Sequence, residues 1–68
     1  MKLYRMITGP DDSAFCHRIT DALNRGWSLE GSPSLTFDSA LGRVICGQAI
    51  VKDVPDVAYT ADIKLSDY

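Results

Sequence analysis

Apolar residues recur at helical spacing in the first third of the chain. The apolar stripe consists of Phe15, Ile19, Ala22 and Leu23. Their spacing of i, i+4, i+7 and i+8 places them on one face of a helix. Asp11 and Asp12 precede the stripe, where a carboxylate caps free N–H groups and suits the helix dipole. Gly26 follows it and is suited to a left-handed C-terminal cap. The pattern predicts a helix that begins at Ser13 and ends before Gly26.

On both sides of this helix the pattern is typical of strands. Residues 2–8 are rich in apolar, β-compatible side chains and end at a Gly-Pro pair, which predicts a first strand. After the helix, apolar and polar residues alternate. The apolar positions are Trp27, Leu29, Leu35 and Phe37. This period of two predicts a strand with one solvent-exposed face. Gly31 and Pro33 interrupt it, so a bulge or a sheet edge is expected there, because proline cannot donate a ladder hydrogen bond.

A hairpin and a central strand are predicted next. Residues 38–42 have the composition of a hairpin loop in which Gly42 takes a positive φ. Residues 43–52 are apolar on both faces, as expected for a strand in the middle of a sheet. Beyond Pro55 an alternating pattern returns over residues 57–65 and predicts a fourth strand. The apolar positions of this strand are Val57, Tyr59, Ala61, Ile63 and Leu65.

Together these elements predict a small two-layer α+β domain with the order β-α-β-β-β. One helix packs on a mostly antiparallel sheet, and its apolar stripe is expected to contact Trp27, Leu29 and the central strand. We expect residues 1–68 to form a single domain. Within it, 1–52 form a β-α-β-β core, 53–56 a hinge and 57–65 the terminal strand.

The length of the chain adds a reason to expect association. A chain of about 60 residues buries only ~60% of the surface that its unfolded form exposes. Small domains are usually stabilised further by disulfides, a metal or a partner chain. Two cysteines and one histidine supply neither a dense disulfide framework nor four Cys/His ligands for zinc. We therefore expect a homodimer, with no metal and no cofactor.

The predicted terminal strand is the expected dimer interface. It needs a sheet edge and an apolar surface beneath it, and Pro55 in the short segment before it disfavours a tight return onto the preceding strand. Exchange of this strand between subunits would meet both needs. The residues expected at the interface are Val57, Tyr59, Ala61, Ile63 and Leu65. The alternative is an edge strand within its own chain, in a dimer or in a monomer.

No set of residues predicts catalysis. Cys16 and His17 are adjacent, so their side chains diverge by about 100° on a helix and are not placed as a nucleophile and its base. Cys46 lies among apolar neighbours, where burial makes a thiol unreactive. A disulfide between Cys16 and Cys46 is an option if the helix and the central strand touch. Trp27 is expected to be a core residue. Since the sequence shows no nucleophile–base set, no metal-ligand set and no cofactor motif, it favours a protein without enzymatic activity.

Composition and charge limit the partners. The chain is 46% hydrophobic and 24% charged, as in ordinary globular domains. A net charge of −2 argues against nucleic-acid binding. A small basic patch of Lys2, Arg5, Arg43 and Lys52 would form only if the first and third strands are neighbours. No apolar run approaches the ~20 residues of a membrane helix, and no signal-peptide pattern is present, so we expect a cytoplasmic protein.

Three runs of sequence resemble a family of short bacterial proteins. They read TGPDDSAFCHR at residues 8–18, NRGWSLEGSP at 24–33 and GRVICGQAIVK at 42–52. On these runs the chain resembles domain-of-unknown-function family 1737. The Gly-Trp pair at the helix end and the segments GSP and GQA are the most specific features. The resemblance implies a small bacterial α+β fold, and it brings no catalytic residues because the family has no assigned activity.

The leading hypothesis is a non-enzymatic homodimeric module that binds through its second sheet face or through a groove at the dimer interface. One alternative is a ligand-binding protein or enzyme whose site forms between subunits from Cys16, His17 or residues 31–33. Another is weak nucleic-acid binding through the four basic residues. A contiguous basic patch would favour the last of these.

Overall fold

A computed structural model describes residues 1–68 and contains one α-helix and one three-stranded sheet. The elements are β1 (Lys2–Pro10), α1 (Ser13–Asn24), β2 (Ser28–Asp38), β3 (Arg43–Asp53) and a short 3-10 helix (Leu65–Asp67). This order confirms the predicted α+β class and its helix packed on an antiparallel sheet. It is β-α-β-β, however, without the predicted fourth strand.

Both ends of α1 are formed by the residues expected to cap it. The carboxylate Oδ1 of Asp12 accepts a hydrogen bond of 3.1 Å from the backbone N–H of Phe15. At the other end, Gly26 has a φ of +97°. The N–H of Gly26 donates to Leu23 and that of Trp27 donates to Ala22, which is the Schellman pattern. Local sequence therefore sets the helix length and directs the chain into β2.

The sheet has the strand order β1-β3-β2, with every pair antiparallel. β3 lies in the centre, as its apolar character on both faces predicted. β1 pairs with β3 from Lys2 opposite Asp53 to Pro10 opposite Ile45. β2 pairs with the other edge of β3 and carries the expected irregularity between Glu30 and Ser34.

The core lies between α1 and one face of the sheet. Its buried members are Leu3, Ile7, Ala22, Trp27 and Ile50. Phe15 and Ile19 pack against it from the helix, so three of the four predicted stripe residues face inward. Leu23 does not: it is 43% exposed. It follows Ala22 and is therefore rotated by about 100° away from the contact line.

The segment after β3 corrects the prediction of a fourth strand. Residues 54–64 run as turns and irregular backbone, and Asp56 has a φ of +64°. Both edges of β3 are already paired, so a further strand would need the outer edge of β1 or β2. Instead the segment folds back, and Ile63 and Leu65 pack against the core of their own chain. The alternating pattern therefore does not form a ladder within this chain.

Polar contacts hold this terminal segment to the sheet. The backbones of Met1 and Val54 are hydrogen-bonded to each other in both directions. The ammonium of Lys52 donates to the carbonyl oxygen of Tyr68 at 2.9 Å. A hydrogen bond from the Thr60 side chain, supported by a backbone hydrogen bond, lowers the pKa of Asp62. These contacts fix a turn at the very residues where the period of two predicted extended backbone.

The β2–β3 hairpin extends beyond the rest of the fold. β1 ends opposite Ile45, so residues 37–43, here called the arm, have no third strand beside them. At its tip the carboxylate of Asp38 accepts from the N–H groups of Ala40 and Leu41, and Gly42 takes a φ of +66° as predicted. The molecule measures 44 × 23 × 20 Å with a radius of gyration of 13.7 Å. A compact chain of this length has a radius of about 11 Å, so the arm makes the molecule elongated.

Candidate functional site

A continuous set of exposed apolar side chains lies along the hairpin. We call it the β2 apolar surface, and it consists of Leu29, Leu35, Phe37, Leu41 and Val44. The register places Leu29 opposite Ile50 and Phe37 opposite Val44. Because cross-strand partners share a face, Leu29, Leu35, Phe37 and Val44 lie on the same side of the sheet as the buried core. They continue the core outward into solvent. Leu41 lies in the turn at the tip of the hairpin.

These side chains are exposed because α1 does not extend over them. No residue of β2 is buried. Leu35 and Phe37 are 66% and 64% exposed. The helix packs on the core around Ile7, Trp27 and Ile50, and the arm lies beyond it. The prediction that β2 has one solvent-exposed face is thus incomplete: both faces of β2 are exposed.

An apolar groove between α1 and β2 adjoins this surface. Its volume is about 270 Å³, and its apolar walls are Phe15 and Ile19 of the helix and Leu29 and Pro33 of β2. No charged residue lines it. Leu29 belongs to both features, so the groove and the β2 apolar surface form one apolar region.

The irregularity in β2 keeps this region on one face. Four steps from Glu30 to Ser34 oppose only two steps from Ala49 to Gly47, so β2 carries two extra residues. An even number of extra residues returns the side-chain alternation to its original face. The buried amide of Gln48 supports the distortion by donating to the carbonyl oxygens of Glu30 and Gly31, at 3.4 and 3.3 Å. The pattern predicted a bulge or an edge here but not the role of Gln48, which stood out only as a polar side chain in an apolar strand and as part of the GQA segment.

The opposite sheet face, which the sequence offered as a binding surface, is also uncovered. Tyr4 and Met6 of β1 are each 55% exposed on this face. Ile45, Ala49 and Val51 of β3 lie beside them, half-buried. Thr8, Ser34 and Thr36 interleave with these residues along a shallow depression. This face is therefore a second exposed surface, on which apolar side chains alternate with hydroxyl side chains.

The five residues expected at the dimer interface do not share one surface in the single chain. Ile63 and Leu65 are half-buried against their own core. Val57, Tyr59 and Ala61 are exposed. Two of the five residues therefore pack against their own chain, and the other three are exposed to solvent.

The two cysteines occupy different environments, and both are free thiols. Cys46 is buried on β3 and donates a hydrogen bond to the carbonyl oxygen of Gly9 at 3.4 Å. Burial raises the pKa of this thiol, and the carboxylate of Asp11 adds to the effect. Cys16 is exposed at the edge of the apolar groove, and His17 beside it is exposed as well.

We expect alkylation to distinguish these thiols. In the folded protein, iodoacetamide should modify Cys16 quickly and Cys46 only after unfolding, because a buried neutral thiol is a poor nucleophile. Mass spectrometry of timed samples would measure both rates. A C16S variant should show no fast phase, and rapid modification of Cys46 in that variant would contradict the assignment.

The structure does not gather the four basic residues that the sequence singled out. Lys2 lies opposite Asp53 and Lys52 opposite Leu3, so the two lysines project from different faces. Arg43 lies at the other end of β3, with its guanidinium 4.0 Å from the carboxylate of Asp12. No contiguous basic patch forms from them. Arg5 lies instead over the ring of Trp27, with 5.8 Å between the guanidinium carbon and the ring centroid.

Other kinds of site find little support among the side chains. No three His, Cys, Asp or Glu residues are grouped so that they could hold a metal ion. No helix has the length and apolar character needed to cross a membrane. Trp27 is buried as a core residue, as predicted.

Comparison with known proteins gives one finding. A family model described as a domain of unknown function (DUF1737) matches residues 1–53. The match begins before β1 and ends with β3, so it covers the helix and the whole sheet. No curated protein and no solved structure matches the chain.

Proposed function

Because the chain belongs to the DUF1737 family, whose function is unknown, we propose a function from its surfaces: a non-enzymatic binding module that works as a homodimer through the β2 apolar surface. The family match confirms the resemblance seen in the three sequence runs. The match identifies no activity, partner or assembly, so the proposal rests on the surfaces of the molecule.

The observation that carries the proposal is the excess of exposed surface. The chain exposes 4797 Å². A folded monomer of this mass exposes about 4,250 Å². The difference, about 550 Å², is close to the ~600 Å² that one partner contributes at the lower end of the range of stable interfaces. Only seven residues are buried, so the fold gains more from covering this surface than a larger domain would.

A second copy of the chain is the occupant that fits this surface. The helix supplies the second layer over only part of the sheet face, and the arm lacks such a layer. Two hairpins packed face to face about a two-fold axis give each arm the missing layer from the other. The β2 apolar surface carries no charged side chain, so the same surface can meet itself without like-charge repulsion. The groove beside Leu29 extends the contact.

Exchange of the terminal segment is a second route to the same homodimer. The contacts that Ile63 and Leu65 make with their own core would then be made with the partner's core, as in other domain swaps. Pro55 and the left-handed Asp56 lie in the connecting segment, where a change of direction would switch the two forms. Val57, Tyr59 and Ala61, exposed in the single chain, would be covered by the partner.

The free thiols support a cellular setting for this module. Exposed Cys16 and buried Cys46 are both unpaired, which fits a reducing compartment such as the cytoplasm of a bacterium. The oxidised form, with a disulfide between them, would draw the helix toward β3.

Sedimentation equilibrium of the full chain tests the proposal. We expect a mass of twice 7.5 kDa at tens of micromolar and a Kd of roughly micromolar, because interfaces of this size are moderate in strength. Isotope-mixed NMR samples should show contacts between copies at Leu35 and Phe37. A single species of 7.5 kDa at a concentration of about 1 mM would overturn the proposal.

A further inference from the structure

A cavity on the other flank of the helix has three arginines in its walls. It lies between α1, β1 and the terminal segment, and its volume is about 230 Å³. The three are Arg5, Arg18 and Arg25. The sequence pattern does not connect them, because Arg5 is distant in sequence from the two on the helix. The cavity is separate from the β2 apolar surface, which lies on the opposite side of α1.

The fold positions each arginine toward this cavity. Arg18 and Arg25 are seven residues apart on α1, about two turns, so they project from the same side of the helix. The guanidinium of Arg18 donates to the carbonyl oxygen of Thr8 at 2.9 Å, which fixes it beside β1. Arg5 shares the inner face of β1 with Leu3 and Ile7 and lies over Trp27. The helix and the strand thus place their three guanidinium groups around one cavity.

The charge in this cavity opposes the charge of the whole protein. The chain has a net charge of −2, yet three guanidinium groups and only one acidic side chain, that of Asp21, line the cavity, together with Ser66 and Tyr68. Asp21 is paired with Arg25, with 3.0 Å between Oδ2 and Nε. Each guanidinium has five N–H donors in a fork that matches oxyanions. Most of these donors have no acceptor within the chain.

The floor of the cavity is apolar. Trp27, Ile7 and Ala22 form it, and all three are buried members of the core. Trp27 is only 3% exposed and Arg5 lies over its ring, so a ligand in this space meets cationic donors at the rim and a small exposed part of the apolar floor below. The volume is smaller than the ~300 Å³ at which pockets for drug-sized ligands begin, so the space suits a small molecule rather than a polymer.

We propose that this cavity binds a small organic oxyanion, a molecule whose phosphate or carboxylate group is held by the three arginines while its apolar part contacts the small part of the apolar floor, including Trp27, that remains exposed. Phosphate and carboxylate groups share a pair of acceptor oxygens, which a guanidinium group binds in bidentate fashion. This binding site does not depend on a homodimer formed through the β2 apolar surface, because none of its residues belongs to that surface. Ser66 and Tyr68 of the terminal segment line it, so exchange of that segment would replace them with the same residues of the partner.

Titration of the full chain with phenyl phosphate, benzoate and inorganic phosphate tests the proposal. Trp27 is the only tryptophan and lines this cavity, so its fluorescence reports on binding there, and the arginine variants separate this signal from changes elsewhere in the core. We expect saturable changes with phenyl phosphate or benzoate, and the stronger of the two identifies the preferred oxyanion. Inorganic phosphate should compete but bind more weakly, since it lacks the part that contacts the ring.

Arginine variants provide the decisive comparison. R5Q and R18Q should each weaken binding of the preferred probe about 10-fold or more, because each removes charge-assisted hydrogen bonds. R43Q is the matched control: it removes one positive charge outside the cavity and should leave affinity unchanged. Circular dichroism would confirm that each variant is folded, and NMR shifts of the Trp27 indole in the F37D variant would show whether the monomer binds equally well.

Three results would overturn the proposal. The first is no change of Trp27 fluorescence or NMR shifts at millimolar probe. The second is an equal loss of affinity in R43Q, which would indicate diffuse attraction to net charge rather than a site. The third is tight binding of a single-stranded RNA oligonucleotide that phenyl phosphate does not displace, which would identify a polymer as the ligand.

Discussion

Replacing Phe37 by aspartate is expected to convert the homodimer into a monomer. Phe37 lies on the arm, 64% exposed in the single chain, opposite Val44 and next to Leu35 on the same face. A carboxylate there would have to lose its water in the dimer, and the aromatic contact would disappear as well. Central aromatic residues of interfaces contribute 2 kcal/mol or more, so the Kd should rise about 30-fold at least. Sedimentation equilibrium measures the change directly.

Y59D is the matched control for this variant. Tyr59 is an exposed aromatic residue of nearly equal accessibility, 66%, on the terminal segment. If the hairpins form the interface, Y59D should remain a dimer while F37D becomes a monomer. The reverse result would favour exchange of the terminal segment, since Tyr59 would then be covered by the partner. Loss of the dimer in neither variant would contradict both arrangements, and circular dichroism would confirm that both variants are folded.

Replacing Ile50 by alanine is expected to unfold much of the protein at 25 °C. Ile50 is completely buried and lies on the central strand, opposite Arg5 on one side and Leu29 on the other. Truncating a buried isoleucine to alanine costs about 2–5 kcal/mol. The hydrophobic core of a domain this small supplies only about 3–5 kcal/mol of stability. Urea denaturation followed by circular dichroism would show the loss, measured at one fixed protein concentration because dimerisation also stabilises the fold.

L23A provides the comparison for this second variant. Leu23 lies on the helix but is 43% exposed, so its truncation removes little buried surface. We expect its free energy of unfolding to change by less than about 1 kcal/mol. Similar losses in I50A and L23A would mean that the helix stripe, and not the junction of helix and central strand, forms the core.

Most of the fold could be predicted because its signals are local. Asp12 and Gly26 mark the helix ends with backbone hydrogen bonds that depend on adjacent residues only. Gly42 marks the hairpin in the same way. The apolar side chains on both faces of β3 indicated its central place in the sheet. A strand with neighbours on both edges is covered more completely than an edge strand, so apolar side chains suit both of its faces. Each of these predictions is confirmed.

The rest depends on contacts between distant residues. The alternating pattern from Val57 to Leu65 is typical of a strand, but neither edge of β3 was free to pair with it, and packing on the core competed successfully. The arginine cavity joins Arg5 to Arg18 and Arg25 through the position of α1 over β1. Spacing along the chain does not show which residues from distant parts of the sequence lie together in the fold. The basic residues that the sequence did connect, among them Lys2 and Lys52, are placed on different faces.

The two extra residues in β2 also restrict the insertions and deletions that members of this family can have at this point of the strand. Removing one residue between Glu30 and Ser34 would shift every later position of the strand by one step. Leu35 and Phe37 would then lie on the other side of the sheet, and Thr36 would take their place. The apolar and polar faces of this part of β2 would be exchanged. Natural relatives that keep an apolar hairpin should accordingly gain or lose residues here in pairs.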